Sequence, residues 1–378
     1  MLRRLPPAAA ALLASQHGVA TAQQLSAVGL SPGSCRVAVR RELLLHPYRG
    51  VYVDRAAWRE ASDPVRFAMR LFATQLVAPD AIGIHSTAAA VSLLPVRRSP
   101  DRPEVARPRH LGRLAGAVVR RLDVPPTDAI DVEGLLVTSM PTTGASIAGT
   151  SALPDSFITL DAALARGVSL ADLRSAAQTL PTASQRGRAM HAVDLADPWS
   201  ESWLESLSRG RAIEAGLPVP LCNVTLIAER REVRVDLLWA DVAVIGEADG
   251  KAKYTLRPDV AEAHWQEKQR QEWLQDLGFE VVRWGLREVS ADGSTLRRRF
   301  ERAVARRSGT GWPRGVRAEL RRLRGVTPPP RVDDEVRRLQ ALGVPIVVAP
   351  PDRWRRPVSP GSLWTPTSPT CDGRVNRK

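Results

Sequence analysis

The stretch VRVDLLWADVAVIGEADGKAK, at residues 233–253, constrains the fold of this chain more than any other. In its first part, every second residue is apolar: these residues are Val233, Val235, Leu237 and Trp239. This alternation is typical of a β-strand with one buried face. A second apolar run at residues 242–245 follows a short connection at Asp241. The stretch therefore predicts two neighbouring strands of a small sheet.

Acidic residues follow the two predicted strands. Side chains two apart on a strand share a face, so Glu247, Asp249 and Lys251 point the same way if the second strand continues that far. A hairpin or neighbouring-strand pairing would bring Asp236 of the first strand alongside them. Carboxylates and a lysine at the end of a small sheet can hold a divalent metal ion and activate water for attack on a phosphate. Crowded carboxylates also repel one another, so at least one should hold its proton more tightly than usual.

Lysine is scarce in this chain and clusters near those carboxylates. Lysine and arginine together number 54, yet lysine occurs only at Lys251, Lys253, Lys268 and Lys378. Arginine is always charged and branched, whereas lysine is a compact ammonium whose proton can be shifted. Either a site that needs an ammonium has kept these residues, or they cluster by chance in an exposed loop.

The whole composition favours a polyanionic partner. The 378 residues carry a formal net charge of +14, which is typical of proteins that bind nucleic acid, although a general drift towards arginine also contributes. The three cysteines are far apart, which excludes a disulfide framework and a zinc site. No apolar stretch approaches the ~20 residues of a membrane span. We expect a cytoplasmic protein with DNA and not a membrane as its partner.

Residues 1–55 predict a winged helix-turn-helix domain. Three helix-sized segments are followed by the ribbon pattern HPYRGVYV, and the third helix has Ser31 as its cap and Pro32 at its first position. In such a domain the third helix enters the major groove of DNA and the ribbon touches the backbone. The candidate DNA-binding residues are Arg36, Arg40, Arg41 and Arg49. The alternative is a small helical cap that uses its arginines for solubility.

The remaining sequence divides by composition and pattern into an α/β and α+β multidomain chain. The predicted domains after the first are an α+β middle region at 56–196, a compact α/β domain with a central mixed sheet at 197–308, a basic helical extension at 309–348 and a disordered tail at 349–378. In the α/β domain at 197–308, Ser200 is the expected cap of a helix that carries Glu201 and Glu205 on one face. Glu205 either closes the metal site from this helix or belongs to a solvated acidic face that suits the helix dipole.

Several of these segments resemble a known architecture of actinobacterial proteins. The segments SESWLESLSRGRAIEAGLP, RVDLLW, GEADGKAKY and EKQRQEWLQDLGFEVVRW are similar to the very-short-patch-repair (Vsr) endonuclease, within the PD-(D/E)XK nuclease superfamily. The N-terminal half is similar to the AbiEi antitoxin of type IV toxin-antitoxin systems, which has a winged helix and represses its own operon. The resemblance covers most of residues 1–305 and is more specific in the C-terminal half.

The endonuclease resemblance assigns roles to individual residues. It implies Mg²⁺ or Mn²⁺ as cofactor, with Asp236 and Glu247 as metal ligands and Asp249 and Glu205 in support. Asp249 stands where the superfamily pattern has lysine, so Lys251 or Lys268 would orient water or stabilise charge on the phosphate. The expected function is DNA binding with metal-dependent endonuclease activity. The alternative is a non-catalytic repressor or antitoxin, with a cognate toxin as partner, whose nuclease fold is only a binding module.

Overall fold

A computed structural model describes most of the chain. The described residues are 4–98, 101–107, 113–120, 122–249, 260–307, 311–320, 326 and 329–349, with the side chains of 260–264 excluded. Lys251, Lys253 and the predicted tail beyond residue 349 therefore lie outside the described residues. Within these ranges, no helix is long and apolar enough to cross a membrane.

The chain divides into two compact units between residues 146 and 147. The first unit reaches Ser146 and the second covers Ile147–Pro357. The helices at residues 153–195, which the sequence placed in a middle region, belong to the second unit. The sequence instead predicted a boundary at residue 197, and that boundary stays a prediction.

The first unit begins with three helices and a three-stranded sheet. Its elements are α1 (Pro7–Ser15), β1 (Val19–Thr21), α2 (Ala22–Ala27), α3 (Pro32–Arg40), β2 (Leu44–Tyr48) and β3 (Val51–Asp54). The strands lie in the order β1, β3, β2, and all neighbours are antiparallel. Residues from all three helices and from the sheet share one apolar core, which includes Leu13, Leu25, Ala38 and Leu44. This order of elements agrees with the one predicted for residues 1–55.

The rest of the first unit is α+β, as the sequence predicted for the start of the middle region. Its elements are α4 (Arg55–Glu60), α5 (Asp63–Val77), β4 (Ile82–Gly83), α6 (His85–Val91), β5 (Glu104–Ala106), β6 (Val118–Arg120), a 3-10 turn (Pro126–Asp128), β7 (Ala129–Val132) and β8 (Leu135–Thr138). The strands form a five-stranded sheet in the order β6, β5, β4, β8, β7. Helix α7 (Met140–Thr150) then crosses the division between the units.

The second unit contains a six-stranded mixed sheet. Its helices are α8 (Leu153–Ala165), α9 (Leu170–Gln178), α10 (Ala183–Leu195), α11 (Trp203–Glu214), α12 (Val260–Asp276), α13 (Leu286–Val289), α14 (Ser294–Arg307) and α15 (Pro330–Ala341). Its strands are β9 (Leu221–Ala228), β10 (Arg231–Trp239), β11 (Val244–Asp249), β12 (Glu280–Gly285), β13 (Arg317–Leu320) and β14 (Ile346–Val348), and a 3-10 turn at Ala240–Val242 joins β10 to β11.

The order of strands in this sheet is β12, β11, β10, β9, β13, β14. Strands β11 and β12 are parallel, as are β13 and β14, and the other neighbours are antiparallel. The two strands predicted at residues 233–253 are therefore adjacent, at the centre of a mixed sheet. Strands β13 and β14 complete this sheet from within residues 309–348, which the sequence predicted as a basic helical extension.

Helix α8 packs closely on α11 across the boundary that the sequence predicted. A Cβ atom on Gly210 of α11 would lie 2.4 Å from the Cα atom of Pro154, so only glycine allows this approach. Beside it, Asp161 of α8 accepts hydrogen bonds from Nη2 of Arg209 at 2.8 and 2.9 Å, and both side chains are almost fully buried. The backbone N–H of Asp197 also donates to Asp161, at 2.8 Å. These contacts make α8 part of the second unit.

We expect a fragment of residues 140–357 to fold, and a fragment of residues 197–357 to lose cooperative unfolding. The shorter fragment lacks α8, so it would expose the apolar face of α11 that packs against α8 and would remove Asp161 from Arg209. Thermal melts followed by circular dichroism would compare the two fragments. A cooperative transition of the shorter fragment at the temperature of the longer one would contradict the placement of α8.

Candidate functional site

Four arginines of the first unit lie exposed on α3 and on the turn between β2 and β3. Arg36 and Arg40 are on α3, Arg41 follows its last residue, and Arg49 lies in the turn. None of the four forms an ion pair within the described part of the chain. All the candidate DNA-binding residues are thus available to an external anion.

The local sequence fixes which face of α3 carries its arginines. The side chain of Ser31 accepts from the N–H of Ser34 at 3.2 Å, which caps the helix where the sequence predicted. Cys35 and Ala38 are buried against the other helices. Arg36 and Arg40 are four residues apart, so they share the exposed face of this helix.

Three of the predicted metal-site carboxylates meet at the centre of the second unit. Asp236 lies on β10 and Glu247 on the adjacent β11, where Leu237 pairs with Gly246. Oδ2 of Asp236 accepts a hydrogen bond from the N–H of Ala248 at 2.8 Å. Glu205 approaches from the first turn of α11. Together Glu205, Asp236 and Glu247 form what we call the carboxylate cluster.

Both oxygens of Glu205 are used within the fold. The helix begins at Trp203 with Ser202 as its cap, rather than the predicted Ser200. Oε1 accepts from the hydroxyl of Ser202 at 2.7 Å. Oε2 accepts from the N–H of Glu201 at 2.8 Å and from Nδ2 of Asn223 at 2.7 Å. Glu205 thus serves as a capping residue at the start of α11, and it is also buried close to Asp236.

Arginine, rather than lysine, is the cation that contacts the cluster from α12. Nη2 of Arg270 donates to Oε1 of Glu247 at 2.7 Å and to the carbonyl of Arg234 at 2.6 Å. Nη1 of Arg270 donates to Oε1 of Glu267 at 2.9 Å. Lys268 is exposed and pairs with Glu272 at 3.7 Å, so the structure does not bring it to the cluster.

Asp249 lies at the edge of the cluster and contacts a second arginine. Its Oδ2 is 3.5 Å from Nη1 of Arg283 on β12, and its side chain is partly exposed. Nη2 of Arg283 also pairs with Glu267. Lys251, which the sequence predicted on the same strand face, lies outside the described residues.

The environment favours the protonated forms of two of these carboxyl groups. Burial, reinforced by the nearby Asp236, raises the pKa of Glu205 to about 7. Burial and Asp236 likewise raise the pKa of Glu247 to about 7, against the opposing effect of Arg270. The expectation that at least one crowded carboxylate holds its proton more tightly agrees with both values.

We expect the second unit to lose stability as the pH rises from about 5 to about 8. In the folded state Glu205 and Glu247 have a pKa of about 7, above the ordinary value of 4.5, so the folded state binds more protons in this window. Raising the pH therefore disfavours folding, by on the order of 3 kcal/mol for each group. Thermal melts of the full-length chain across this window measure the effect, and Glu247→Gln should weaken it. A melting temperature independent of pH would contradict the assignment.

The donor set of the cluster does not fit a divalent metal ion as it stands. Hydrogen bonds from the protein occupy both oxygens of Glu205, and Arg270 holds Oε1 of Glu247. Among the residues that the structure describes, no group of three or more acidic, histidine or cysteine side chains is placed to hold a metal. The predicted roles of Asp236, Glu247 and Asp249 as ligands of Mg²⁺ or Mn²⁺ stay predictions.

The sequence reasoning missed Asn223 and Arg270, which donate to Glu205 and Glu247, and Arg283, which contacts Asp249 at the edge of the cluster. Helical spacing could have identified Arg270. It lies four residues before the buried Leu274, on the inward face of α12, whereas Lys268 lies off that face. The scarcity of lysine pointed to Lys268, whose role at the site stays a prediction.

Comparison with known protein families finds a match in the N-terminal segment of the chain. Residues 8–53 match the family described as "Transcriptional regulator, AbiEi antitoxin". No curated protein matches the chain. Among solved structures, the RV2827C protein from Mycobacterium tuberculosis is 19% identical, with 58% of this chain and 85% of that chain covered and a TM-score of 0.35. The endonuclease resemblance at residues 197–308 lies outside the matched family segment and stays a prediction. The segment that carries α1 to α3 and all four exposed arginines is thus similar to AbiEi antitoxin regulators.

Proposed function

We propose that this chain is a DNA-binding transcriptional regulator of the AbiEi antitoxin type. The observation that supports this most directly is the set of exposed arginines on α3 and the following turn. They are free of internal ion pairs within the described residues, and they all fall inside the segment that matches the regulator family. Elsewhere in the chain many arginines are paired with carboxylates.

In the proposed complex, the first unit binds duplex DNA as a winged helix-turn-helix. Helix α3 lies in the major groove, where its outward arginines Arg36 and Arg40 reach base edges or phosphates. Arg41 at the end of the helix and Arg49 on the wing contact the phosphate backbone. Guanidinium groups suit both tasks, because their planar donors match phosphate oxygens and the acceptor edge of guanine.

The net charge of the chain supports the same proposal. A formal charge of +14 attracts duplex DNA over distances comparable to the Debye length and speeds association at low salt. Such attraction does not choose a sequence, so the sequence preference has to come from α3 and its neighbours. A cognate toxin is the second partner that the antitoxin resemblance suggests, and we include it in the proposal.

A metal-dependent endonuclease is the second candidate function. The meeting of Glu205, Asp236 and Glu247 favours it, because grouped carboxylates are what metal-dependent phosphodiester hydrolysis requires. Against it stand the hydrogen bonds that already occupy Glu205 and the ion pair between Arg270 and Glu247. These contacts favour the regulator over the endonuclease.

Fluorescence anisotropy with duplex DNA tests the proposed function. One labelled duplex carries the region upstream of the chain's own gene, and a matched duplex has the same composition in scrambled order. We expect tighter binding to the first duplex, and an affinity that falls steeply with salt as phosphate contacts release counterions. Equal affinity for both duplexes together with no salt dependence would contradict DNA recognition.

A further inference from the structure

The carboxylate cluster already has a cation of its own. Arg270 lies on α12, and only 20% of its side chain is exposed. Its guanidinium donates to Glu247, to Glu267 and to the backbone carbonyl of Arg234, so it is held on three sides. Burial favours the neutral form of Arg270, but Glu247 and Glu267 outweigh this and raise its pKa. The positive charge at this place is permanent.

A second arginine extends the same pattern to the edge of the sheet. Arg283 on β12 contacts both Glu267 and Asp249. The result is an alternating row of charges that runs from Glu247 through Arg270, Glu267 and Arg283 to Asp249. Each of the three carboxylates in the row has an arginine beside it, so the two guanidinium groups offset two of its three negative charges.

We propose that Arg270 takes the place of a divalent metal ion at the carboxylate cluster, so that the second unit is built to work without metal. A metal ion bound to Oε1 of Glu247 would have to displace the guanidinium of Arg270 from that atom. It would also lie next to a positive charge that cannot be removed by deprotonation. Replacing Arg270 by a neutral residue should therefore open a cation site that the parent protein lacks.

This inference concerns the second unit alone and does not depend on the proposed DNA recognition. A failure of DNA binding by α3 would leave it standing. Conversely, a metal response of the parent protein would overturn it without affecting the role of the first unit. Each of the two proposals can therefore be contradicted while the other stands.

Mn²⁺ binding to the full-length chain and to Arg270→Gln tests the inference. The probes are thermal melts with and without millimolar Mn²⁺, and electron paramagnetic resonance of free Mn²⁺ during titration. The parent should show no shift in melting temperature and no bound Mn²⁺. At a pH above about 8, where Glu247 of the parent is ionised, the variant should melt at a lower temperature without metal, because it leaves the Glu247 carboxylate buried without its partner. Mn²⁺ should restore much of that loss and bind at least about tenfold more tightly than to the parent.

Matched variants on the same helix complete the test. Lys268→Gln removes an exposed charge close in sequence and should behave like the parent. Arg270→Lys keeps a positive charge and should not gain Mn²⁺ binding.

If Arg270→Gln does not fold, the double variant Glu247→Gln with Arg270→Gln should fold without metal, because no unpaired charge remains. A parent that is stabilised by Mn²⁺, an Arg270→Gln protein that gains no Mn²⁺ binding, or a double variant that stays unfolded would overturn the inference.

Discussion

Replacing Arg36 and Arg40 together by alanine should weaken duplex binding by a factor of about 100 or more, while the protein stays folded. Each of these guanidinium groups is exposed on α3 and should contribute about 1–3 kcal/mol if it contacts a base edge. If both contact phosphates instead, the slope of log affinity against log salt should fall by about 2. Fluorescence anisotropy over a salt series measures both quantities.

A charge-matched control separates specific contact from general attraction. Arg298 and Arg302 are exposed on α14 of the second unit, so replacing both by alanine removes the same charge elsewhere. This control should change affinity only slightly at moderate salt. Equal losses in the two double variants would show that α3 is not the recognition helix.

Replacing Arg209 by methionine should destabilise the second unit by about 3–5 kcal/mol, because it leaves the carboxylate of Asp161 buried without its partner. For a unit of this size, such a loss lowers the melting temperature by roughly 10 °C or more. Differential scanning calorimetry of the full-length chain would resolve the transition of this unit.

An exposed ion pair in the same unit provides the control for this prediction. Arg174 and Asp194 are also 2.8 Å apart, but both side chains are about half exposed. Arg174→Met should cost less than about 1 kcal/mol. Replacing Asp161 by leucine in the Arg209→Met background should recover part of the loss, since the uncompensated charge is then gone. A loss from Arg209→Met as small as that from Arg174→Met would contradict the buried pair as a support of α8.

The sequence pattern was sufficient for elements whose signals are local. Ser31 and Pro32 marked the start of α3, and the alternation before Trp239 marked β10. Helical periodicity also predicted α8, α9 and α10. It failed at β13, where an arginine-rich run, VRAELRRLRG, resembles a helix. Pairing with β9 decides the structure of residues 317–320, and no local pattern shows such long-range pairing.

The domain boundary and the cluster depended on contacts between distant residues. Composition changes near Asp197, but the buried pair between Asp161 and Arg209 joins the helices on either side of it. Within the cluster, the adjacency of Asp236 and Glu247 followed from the predicted hairpin. The contact of Arg270 with Glu247 depends on how α12 packs on the sheet, which strand periodicity alone does not show.

Incubating a supercoiled plasmid that carries the region upstream of the chain's own gene, with the full-length protein and Mg²⁺ or Mn²⁺, tests the regulator proposal most directly. The same reaction is run on a native gel to detect binding, and on a deproteinised gel to detect cutting. We predict a shifted plasmid that remains supercoiled, with the shift lost in Arg36→Ala with Arg40→Ala. Nicked or linear plasmid formed by the parent protein, but not by Asp236→Asn, would contradict this account and establish the endonuclease instead.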